Sequence, residues 1–420
     1  MILTIKNLGM IDEAKIELNG ITVIAGKNNT GKSTVSKALF CVVSSFYNVE
    51  NVISTSRFEA LAQRLLYEEV TKSIIKNTDV YKSDKIKLTT FLTKYKYEML
   101  GSPSFAFDEE KEDMYFEKKI NELADYIMKI LNTSDDEVMQ SILLRKFSAE
   151  FGMQMNNIHG DNDFSEIILE FTSKKISVKI QSVHRSHRIK ISNIIGINVD
   201  AIYIDDPMVL DLPQTDYPRR RSFKQASHRN HLHLLLIDND ENTVLNELHV
   251  LKKLDKVFDL INNILPGEMM SEEFGDLYVI DKFGGKINVS NLSTGLKSFV
   301  IIKTLLLKGK LKEGGIIILD EPEVHLHPEW QLTFAEIIVL LQKLFNVRVL
   351  INTHSPYFMM ALEDYSKIHG IDNKCKYYLA ESDVKIATIK DVSDNTKKVY
   401  TKFLEPLRKL DEVRYVDDKL

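Results

Sequence analysis

The sequence has little cysteine and no long apolar run. Only two of its 420 residues are cysteines, Cys41 and Cys375. Two isolated cysteines form neither a metal-ligand pattern nor a redox pair, and their scarcity is typical of a reducing cytoplasm. No stretch approaches the roughly 20 apolar residues that a membrane span needs. These absences argue against a cysteine metal site, a thiol redox site and a membrane-spanning protein.

Signals for export and for general nucleic-acid binding are also missing. The N-terminal sequence MILTIKNLGMIDEAKI meets acids and lysines too early for a secretory signal. We therefore expect a cytoplasmic protein. The net charge of −5 provides no overall attraction to nucleic acid or membrane, so any such contact requires a local basic patch. The composition, 44% hydrophobic and 27% charged, is ordinary for a soluble globular chain.

A glycine-rich loop stands between a predicted strand and a predicted helix near the N-terminus. The strand Ile21–Ala25 runs into GKNNTGKS, which matches G-x-x-x-x-G-K-[ST]. Such a loop surrounds phosphates with backbone N–H groups, and the helix that follows adds its dipole. Lys32 is expected beside the β- and γ-phosphates, and the Ser33 hydroxyl is expected on Mg²⁺. The residues predicted to contact nucleotide here are Gly26, Lys27, Asn28, Asn29, Thr30, Gly31, Lys32, Ser33 and Thr34.

An apolar strand far along the chain ends in two acids. Ile316 to Leu319 predict a strand that is buried on both faces, and Asp320 and Glu321 follow it. Adjacent carboxylates at a strand end can divide two tasks: Asp320 would hold Mg²⁺, and Glu321 would polarise water for attack on a phosphate. The alternative is a buried strand that simply ends in solvated acids.

Two further motifs flank this acidic strand. The segment NLSTGLKS enters an apolar helix, so Ser293 and Gly295 fit a second phosphate-binding helix start. The alternative is ordinary helix capping. The strand Val347–Ile351 ends in NTHSP, and His354 at its end is positioned to reach a γ-phosphate. The alternative there is a capped strand end.

Between the glycine-rich loop and these motifs lies a long insertion. Helical patterns cover Phe58–Lys76, Lys87–Met99 and Glu109–Leu131, and Ser134 with Glu137 forms a capping box for a helix to about Met155. These helices either pack on one another or project as an arm toward a partner or DNA. Three short strands, predicted as a small antiparallel sheet, follow between residues 167 and 192. A further apolar strand, AIYIDDP, ends in Asp205 and Asp206, either of which could lie near a metal or an attacking water.

One dense basic cluster interrupts the sequence. It contains three consecutive arginines and nearby histidines. Such a patch can contact DNA phosphates despite a negative total charge, whereas the alternative is a solvated loop. The histidine spacing in HRNHLH fits neither a zinc site nor an HNH nuclease well. The residues of the predicted DNA contact are Arg219, Arg220, Arg221, Lys224 and Arg229.

The motif order GKNNTGKS, LSTGLK, IIILDEPE, NTHSP resembles the ABC-type ATPase heads of the SMC and OLD (overcoming lysogenisation defect) families. EPEVHLHPEWQ followed by INTHSPYF looks particularly like the OLD-type and Septu-type ATPases of bacterial anti-phage systems. The resemblance is firm over about residues 1–45 and 275–365. It implies an α/β P-loop head with ATP and Mg²⁺ as cofactors. The sites it implies are Walker A at Gly26 to Ser33, the signature at Leu292 to Gly295, Walker B at Ile316 to Asp320, the base Glu321, a D-loop through His325 and His327, and the switch His354.

The resemblance also predicts the domain organisation. An ABC-type head, a mixed sheet flanked by helices, would comprise residues 1–48 and 161–420. Its N-terminal lobe would combine residues 1–48 with 161–212, and its C-terminal lobe would span 240–420. The remaining parts are a helical insertion at 49–160 and a basic loop at 213–239.

The sequence departs from its relatives at two points. Leu296 replaces the Gln or Glu that many relatives carry in the signature, although the serine and glycine contacts stay in place. OLD nucleases carry a Toprim domain after THSP, but Tyr357–Leu420 lacks the Glu and D-x-D arrangement that such chemistry needs. We therefore expect no nuclease site in this chain.

Several functions fit these motifs. The leading hypothesis is an ATP-hydrolysing switch that dimerises head to head, is active in anti-phage defence, and controls a separate effector or engages DNA. A DNA-repair-like SMC-type ATPase and the nucleotide-binding subunit of a transporter share the motifs. A nuclease regulated by ATP is a further alternative, which metal-dependent cleavage by the purified chain would support.

Replacing Arg219, Arg220 and Arg221 together with Glu tests the DNA hypothesis. We expect DNA binding to be abolished because three phosphate-facing cations become anions, while basal ATP turnover stays intact. The measurement is DNA affinity across a salt series. Unchanged affinity would assign the three arginines to a solvated loop.

Overall fold

The computed structural model of the chain describes most of its residues. The described residues are 1–67, 126, 129–152, 154–157, 164–171, 173–183, 186–212, 227–237, 254–272, 275–280, 285–383 and 385–417. They divide into two compact units. The first contains Met1–Ser44, Leu143–Asn193 and Ile197–Leu420, and the second contains Ser45–Ile142 and Ile194–Gly196.

Fourteen named strands occur among the described residues, all in the first unit. They are β1 (Ile2–Leu8), β2 (Ile11–Glu17), β3 (Ile21–Gly26), β4 (Phe164–Glu170), β5 (Lys175–Val183), β6 (Ser186–Ile191), β7 (Ala201–Ile204), β8 (Glu268–Glu272), β9 (Gly275–Ile280), β10 (Gly285–Asn288), β11 (Ile316–Asp320), β12 (Arg348–Thr353), β13 (Cys375–Ser382) and β14 (Ala387–Asp391).

The named α-helices of the described chain are α1 (Lys32–Phe46), α2 (Val49–Tyr67), α3 (Asp135–Phe151), α4 (His228–Ile237), α5 (Asp255–Ile264), α6 (Thr294–Leu307), α7 (Pro328–Phe345), α8 (Pro356–Ile368) and α9 (Lys397–Asp417). A short 3₁₀ helix, Pro207–Asp211, follows β7 closely. The helix predicted from Phe58 is the later part of α2, whereas the patterns at 87–99 and 109–131 fall mostly outside the described residues.

Eleven of the strands form one mixed sheet, in the order β6-β5-β4-β1-β2-β14-β13-β3-β12-β11-β7. The strands β13, β3, β12, β11 and β7 run parallel to their neighbours within this group. Their sequences are apolar because both faces of a central parallel strand are covered. The pairing aligns Asp320 with Asn352 and Thr353 with Ala25, so the carboxyl ends of β3, β12 and β11 meet at one edge.

The three strands predicted between residues 167 and 192 are β4, β5 and β6. They pair antiparallel as expected, but they continue the large sheet through β1 and do not stand apart from it. The register of β1 with β4 pairs Ile5 with Ile167 and Leu3 with Leu169, which buries both pairs of side chains. A separate three-stranded antiparallel sheet is formed by β8, β9 and β10.

One continuous apolar core surrounds the parallel strands. Helix α6 contributes most of its length to this core, which explains why its sequence, TGLKSFVIIKTLLL, is apolar on every side. Phe299 of α6 is fully buried, and its ring meets those of Trp330 and Phe334 edge-on at centroid distances of 6.0 and 5.5 Å. Aromatic contacts of this kind fix the helix against α7.

The second unit contains the start of the predicted insertion. The capping box is present at the start of α3, because the backbone N–H of Ser134 donates to Glu137 and the N–H of Glu137 donates to the Ser134 hydroxyl. Arg57 of α2 donates to the carbonyl of Thr133 and lies 2.7 Å from a carboxylate oxygen of Asp135. These contacts join α2 to the N-terminus of α3.

Among the described ranges, none of the helices combines the length and the apolar character that crossing a bilayer demands.

Replacing Phe299 with Ala tests the aromatic core. The change should lower the free energy of unfolding by about 3–5 kcal/mol, because it removes a buried ring and leaves a cavity. Urea unfolding followed by circular dichroism measures it. Leu332→Ala on α7 is the control, because Leu332 is 44% exposed and a surface change should cost within about 0.5 kcal/mol. Equal losses in the two variants would contradict the packing argument.

Candidate functional site

The glycine-rich loop folds tightly between β3 and α1. Gly31 has a φ of +83°, and a Cβ there would lie 2.9 Å from Ile11, so a larger residue is excluded both by conformation and by space. The Lys32 ammonium donates to the carbonyls of Gly26 and Lys27 at 3.0 and 2.8 Å and is almost fully buried. The loop is therefore closed around its own lysine.

Other residues of the loop face outward or stabilise its turn. Lys27, Asn28 and Asn29 are exposed, and the Lys27 ammonium pairs with Glu405 of α9 at 2.9 Å. Thr30 donates its hydroxyl to the carbonyl of Lys27 at 2.8 Å. The polar exposed positions leave this side of the loop accessible from solvent.

Asp320 is held by neutral donors from both neighbouring strands. The Tyr203 hydroxyl of β7 donates to one carboxylate oxygen and the Asn352 amide of β12 donates to the other, each at 2.9 Å. Burial and the Asp320 charge raise the pKa of Tyr203 well above its usual value, so its hydroxyl stays protonated and keeps donating. Asn352 also donates to the Ser36 hydroxyl of α1 at 2.8 Å, which ties β11 and β12 to the helix after the loop.

Glu321 stands at the centre of the predicted catalytic group. Its backbone adopts a φ of +50°, a left-handed conformation that is uncommon for glutamate and concentrated at functional sites. Its carboxylate lies 3.7 Å from the Lys32 ammonium and 3.4 Å from Nδ1 of His354. Burial lowers the pKa of Lys32, and the charges of Glu321 and Asp320 counteract that shift. The fold thus brings three predicted residues together from three strands.

A cavity of about 260 Å³ opens beside Glu321. Its lining also includes Ser33, Asp320, Asp205 and His325. Hydroxyl and carboxylate oxygens are the ligands that Mg²⁺ prefers. Ser33 and an Asp320 fixed in orientation by two donors therefore fit a magnesium ion at this edge, with Ser33 supplying a hydroxyl and Asp320 a carboxylate.

The signature residues Ser293 and Gly295 lie at the start of α6, and neither is part of the cavity lining. Ser293 is the N-cap, and its hydroxyl accepts from the N–H of Leu296 at 3.4 Å. A Cβ on Gly295 would come within 2.6 Å of the His325 carbonyl, so only glycine allows this close approach. Two residues after the signature, Lys297 is buried and donates to both carboxylate oxygens of Asp211 at 2.7 Å.

Of the two acids after β7, Asp205 reaches the cavity and Asp206 caps the 3₁₀ helix. Asp206 accepts from the N–H of Met208 at 2.9 Å. Burial would raise the pKa of Asp205, but bonds from His228 and Arg229 outweigh it and lower that pKa to about 2. Asp205 is therefore ionised, and its oxygens are engaged by these two partners.

His228 lies between two carboxylates. Its Nδ1 is 2.8 Å from Glu150 and its Nε2 is 3.0 Å from Asp205. Burial alone would lower the pKa of His228, but these carboxylates more than compensate and raise it. The ring stacks on Tyr203 at 4.0 Å, which places this buried charge group directly behind the residue that holds Asp320.

The structure describes only part of the basic cluster. Arg219, Arg220, Arg221 and Lys224 lie outside the described residues. Arg229 lies on α4 and not on a loop, and its guanidinium is bound to Asp205 at 2.7–3.1 Å. The predicted basic loop 213–239 is therefore helical over His228–Ile237. The DNA contact of Arg229 stays a prediction, and it would involve a guanidinium that already binds a carboxylate.

Sequence reasoning missed several residues of this site. Tyr203, Asn352 and Glu323 were not predicted, although each is buried and contacts a predicted residue. The available signal was weak: Tyr203 is the one polar side chain in AIYI, and Asn352 directly precedes the THSP motif. Their roles depend on strand register, which a local pattern does not reveal.

The glycine-rich loop beside an acid-ended parallel strand defines a P-loop nucleotide-binding protein. The chain belongs to the AAA ATPase domain family (AAA_15), whose match covers residues 1–359. Membership of this family supports ATPase activity.

Named relatives match shorter stretches. The chain is 32% identical over 114 residues to the Retron Vc95 probable ATPase of Vibrio cholerae serotype O1 biovar El Tor, an overlap of 24% of this chain and 21% of that protein. It is 28% identical over 159 residues to the Septu protein PtuA of Bacillus thuringiensis, covering 34% of this chain and 39% of PtuA. The matched region thus spans well under half of either relative.

Two solved structures are also similar. One is an SMC head domain from Thermotoga maritima, with a TM-score of 0.41, 12% identity and coverage of 93% of this chain and 98% of that one. The other is an SmcHead bound to the C-winged helix domain of ScpA, with a TM-score of 0.47, 10% identity and coverage of 94% and 98%.

Replacing Tyr203 with Phe tests how Asp320 is held. Losing the hydroxyl leaves Asp320 with one fewer donor, so the Mg²⁺ concentration for half-maximal ATP turnover should rise by roughly 10- to 100-fold. A magnesium titration of turnover measures this. Tyr400→Phe is the matched control, because the Tyr400 hydroxyl donates to Glu363 at 2.9 Å. The same magnesium dependence in both variants would contradict the argument.

Proposed function

We propose that this chain binds and hydrolyses ATP with Mg²⁺, and that two copies close head to head around the nucleotide as a switch. The observation that supports hydrolysis is the convergence of Lys32 and His354 on Glu321, which lines the cavity. Three groups with different charges and roles meet there although they are far apart in sequence. A buried strand that merely ends in solvated acids would not require this arrangement.

Nucleotide binding is assigned to the glycine-rich loop and to the start of α1. Backbone N–H groups and the helix dipole favour phosphate there. The Lys32 ammonium, now bonded to loop carbonyls, supplies the positive charge beside the β- and γ-phosphates. Ser33 and Asp320 hold the magnesium ion, which neutralises charge on the phosphates.

Hydrolysis is assigned to Glu321 as general base. Its carboxylate accepts the proton of the attacking water, and the left-handed backbone fixes that carboxylate at the strand end. His354, 3.4 Å from Glu321, is close enough to orient the carboxylate and to contact the γ-phosphate. A positioned base of this kind contributes about 10²–10⁴-fold to the rate.

Dimerisation is inferred from the signature. Ser293 and Gly295 do not belong to the lining of the chain's own cavity, yet Gly295 packs on the backbone of His325, which does. A capped, exposed helix start with an N-terminal dipole is suited to phosphates presented by a second copy. The active site would then be completed only when two heads close.

The output of the switch is proposed by analogy with similar proteins. The resemblance to OLD-type and Septu-type ATPases and the partial matches to a retron ATPase and to PtuA support a role in bacterial anti-phage defence. ATP-driven closing and opening of the heads would move the helical insertion. The movement would control a separate effector protein or a grip on DNA through Arg219, Arg220 and Arg221.

Glu321→Gln tests hydrolysis and dimerisation together. The substitution keeps size and hydrogen-bonding shape but removes the base, so turnover should fall by roughly 10²–10⁴ while ATP still binds. The variant should then accumulate as an ATP-bound dimer, measured by light scattering with and without ATP. Adding Ser293→Arg should dissociate this dimer, because a long cation obstructs the helix start.

Lys32→Ala is the matched control, since it removes the phosphate-facing charge and should abolish ATP binding and ATP-dependent association alike. Where association is complete without ATP, cross-linking across the heads replaces light scattering. A Glu321→Gln protein that stays monomeric with ATP bound would contradict the proposal that two copies complete one active site.

A further inference from the structure

A buried carboxylate, Glu323, joins the segment after β11 to the segment after β12. Its side chain is only 3% exposed. One oxygen, Oε1, accepts from the Thr353 hydroxyl at 2.5 Å and from the backbone N–H of His354 at 3.1 Å. Hydrogen bonds to a carboxylate are stronger than those between neutral groups, so Glu323 holds the end of β12 firmly.

The same carboxylate belongs to a closed ring of hydrogen bonds. The Thr353 hydroxyl also accepts from the N–H of Ser355 at 3.0 Å, and the Ser355 hydroxyl donates to the Gln331 side chain at 3.3 Å. The Gln331 amide donates to the backbone carbonyl of Glu323 at 3.3 Å, which closes the ring. The backbone on both sides of His354 is therefore fixed to the segment that carries Glu321 and Glu323.

His354 itself relies on this backbone support. Its side chain is 42% exposed, and its Nδ1 lies 3.4 Å from Glu321 and 3.8 Å from Glu323. A half-exposed ring without a packed pocket takes its direction from the backbone that carries it. Because the 3.4 Å separation from Glu321 is already at the long end of hydrogen-bonding distance, a small shift of the His354 backbone would separate the two groups.

The burial of the Glu323 carboxyl group is unfavourable for the stability of the fold. Its second oxygen, Oε2, has no hydrogen-bond partner among the described residues. Burial raises the pKa of Glu323, while bonds from Thr353 and from the N–H of His354 counteract the shift. A buried carboxyl with an unpaired oxygen lowers stability relative to a neutral residue, so packing alone does not account for a glutamate here.

We infer that Glu323 is a positioning residue for ATP hydrolysis: by binding the Thr353 hydroxyl and the His354 N–H, it sets the His354 imidazole beside the catalytic carboxylate of Glu321. This inference rests on the proposed function. Glu323 acts through His354 and does not touch the reacting atoms. Its loss should slow the chemical step much more than it weakens nucleotide binding, because the Lys32 ammonium is hydrogen-bonded to the carbonyls of Gly26 and Lys27 and Glu323 acts on it only through its charge.

Steady-state ATP turnover of Glu323→Ala and Glu323→Gln separates an effect on the chemical step from an effect on nucleotide binding. Glu323→Ala should lower kcat by about 10- to 100-fold, the usual loss when a supporting group is removed, with KM within about threefold of the native value. Glu323→Gln should recover most of kcat, because an amide oxygen can accept both hydrogen bonds. A KM change with an unaltered kcat in Glu323→Ala would overturn the inference.

A double-mutant cycle tests whether Glu323 acts through His354. If it does, Glu323→Ala combined with His354→Ala should turn over within about threefold of His354→Ala alone, since the group to be positioned is already gone. Losses that multiply would overturn the inference and make Glu323 an independent contributor. Should Glu323→Ala fail to fold, Thr353→Val replaces it in the cycle, because it removes the same hydrogen bond from the other end.

Glu336→Ala is the matched control. Glu336 is a partly buried carboxylate on α7 that lies 3.2 Å from His369 and 2.8 Å from Lys256, and neither of these two partners belongs to the site. Its kcat should match that of the native protein. Full turnover by Glu321→Gln would defeat the proposed function itself, whereas a dead Glu321→Gln beside a fully active Glu323→Ala would defeat only this inference.

Discussion

Parallel pairing of β3, β12, β11 and β7 is the constraint on which the site depends. In a parallel sheet, neighbouring strands end at the same edge. Polar residues that directly follow those ends are therefore brought together by the sheet itself, and no special loop conformation is needed. The register of β11 with β12 sets Asp320 opposite Asn352, and one hydrogen bond between them locks that register. A shift by one residue would turn Asp320 away from the cavity.

The three acids at this edge of the sheet are bound by different kinds of partner. Each acid has a distinct set of partners: Asp320 receives neutral donors, Glu321 lies beside a lysine and a histidine, and Asp205 is bound by charged donors. The three carboxylates therefore differ in the partners that hold their oxygens. Environments that divide neighbouring carboxylates in this way are a general means of assigning acid, base and metal roles.

The local motifs were predictable from the sequence, and their long-range partners were not. The glycine-rich loop, the strand before Asp320 and the capping box of Ser134 and Glu137 depend on residues within a few positions of one another, so pattern alone predicts them. Tyr203 reaches Asp320 across 117 residues of sequence. Such a contact depends on which strand becomes the neighbour in the sheet. Strands β4–β6 show the same difficulty, because their antiparallel pairing could be predicted from the sequence and their pairing with β1 could not.

The ion pair of Lys297 and Asp211 connects two elements that border the site. The buried Lys297 lies one turn into α6, and the partly exposed Asp211 ends the 3₁₀ helix that begins two residues after Asp205. Separating the pair would leave the Lys297 charge buried without its ionic partner, which is unfavourable. A displacement of the exposed Ser293 end of α6 would therefore be passed on to the 3₁₀ helix and to the cavity rim, which Pro207 of that helix lines.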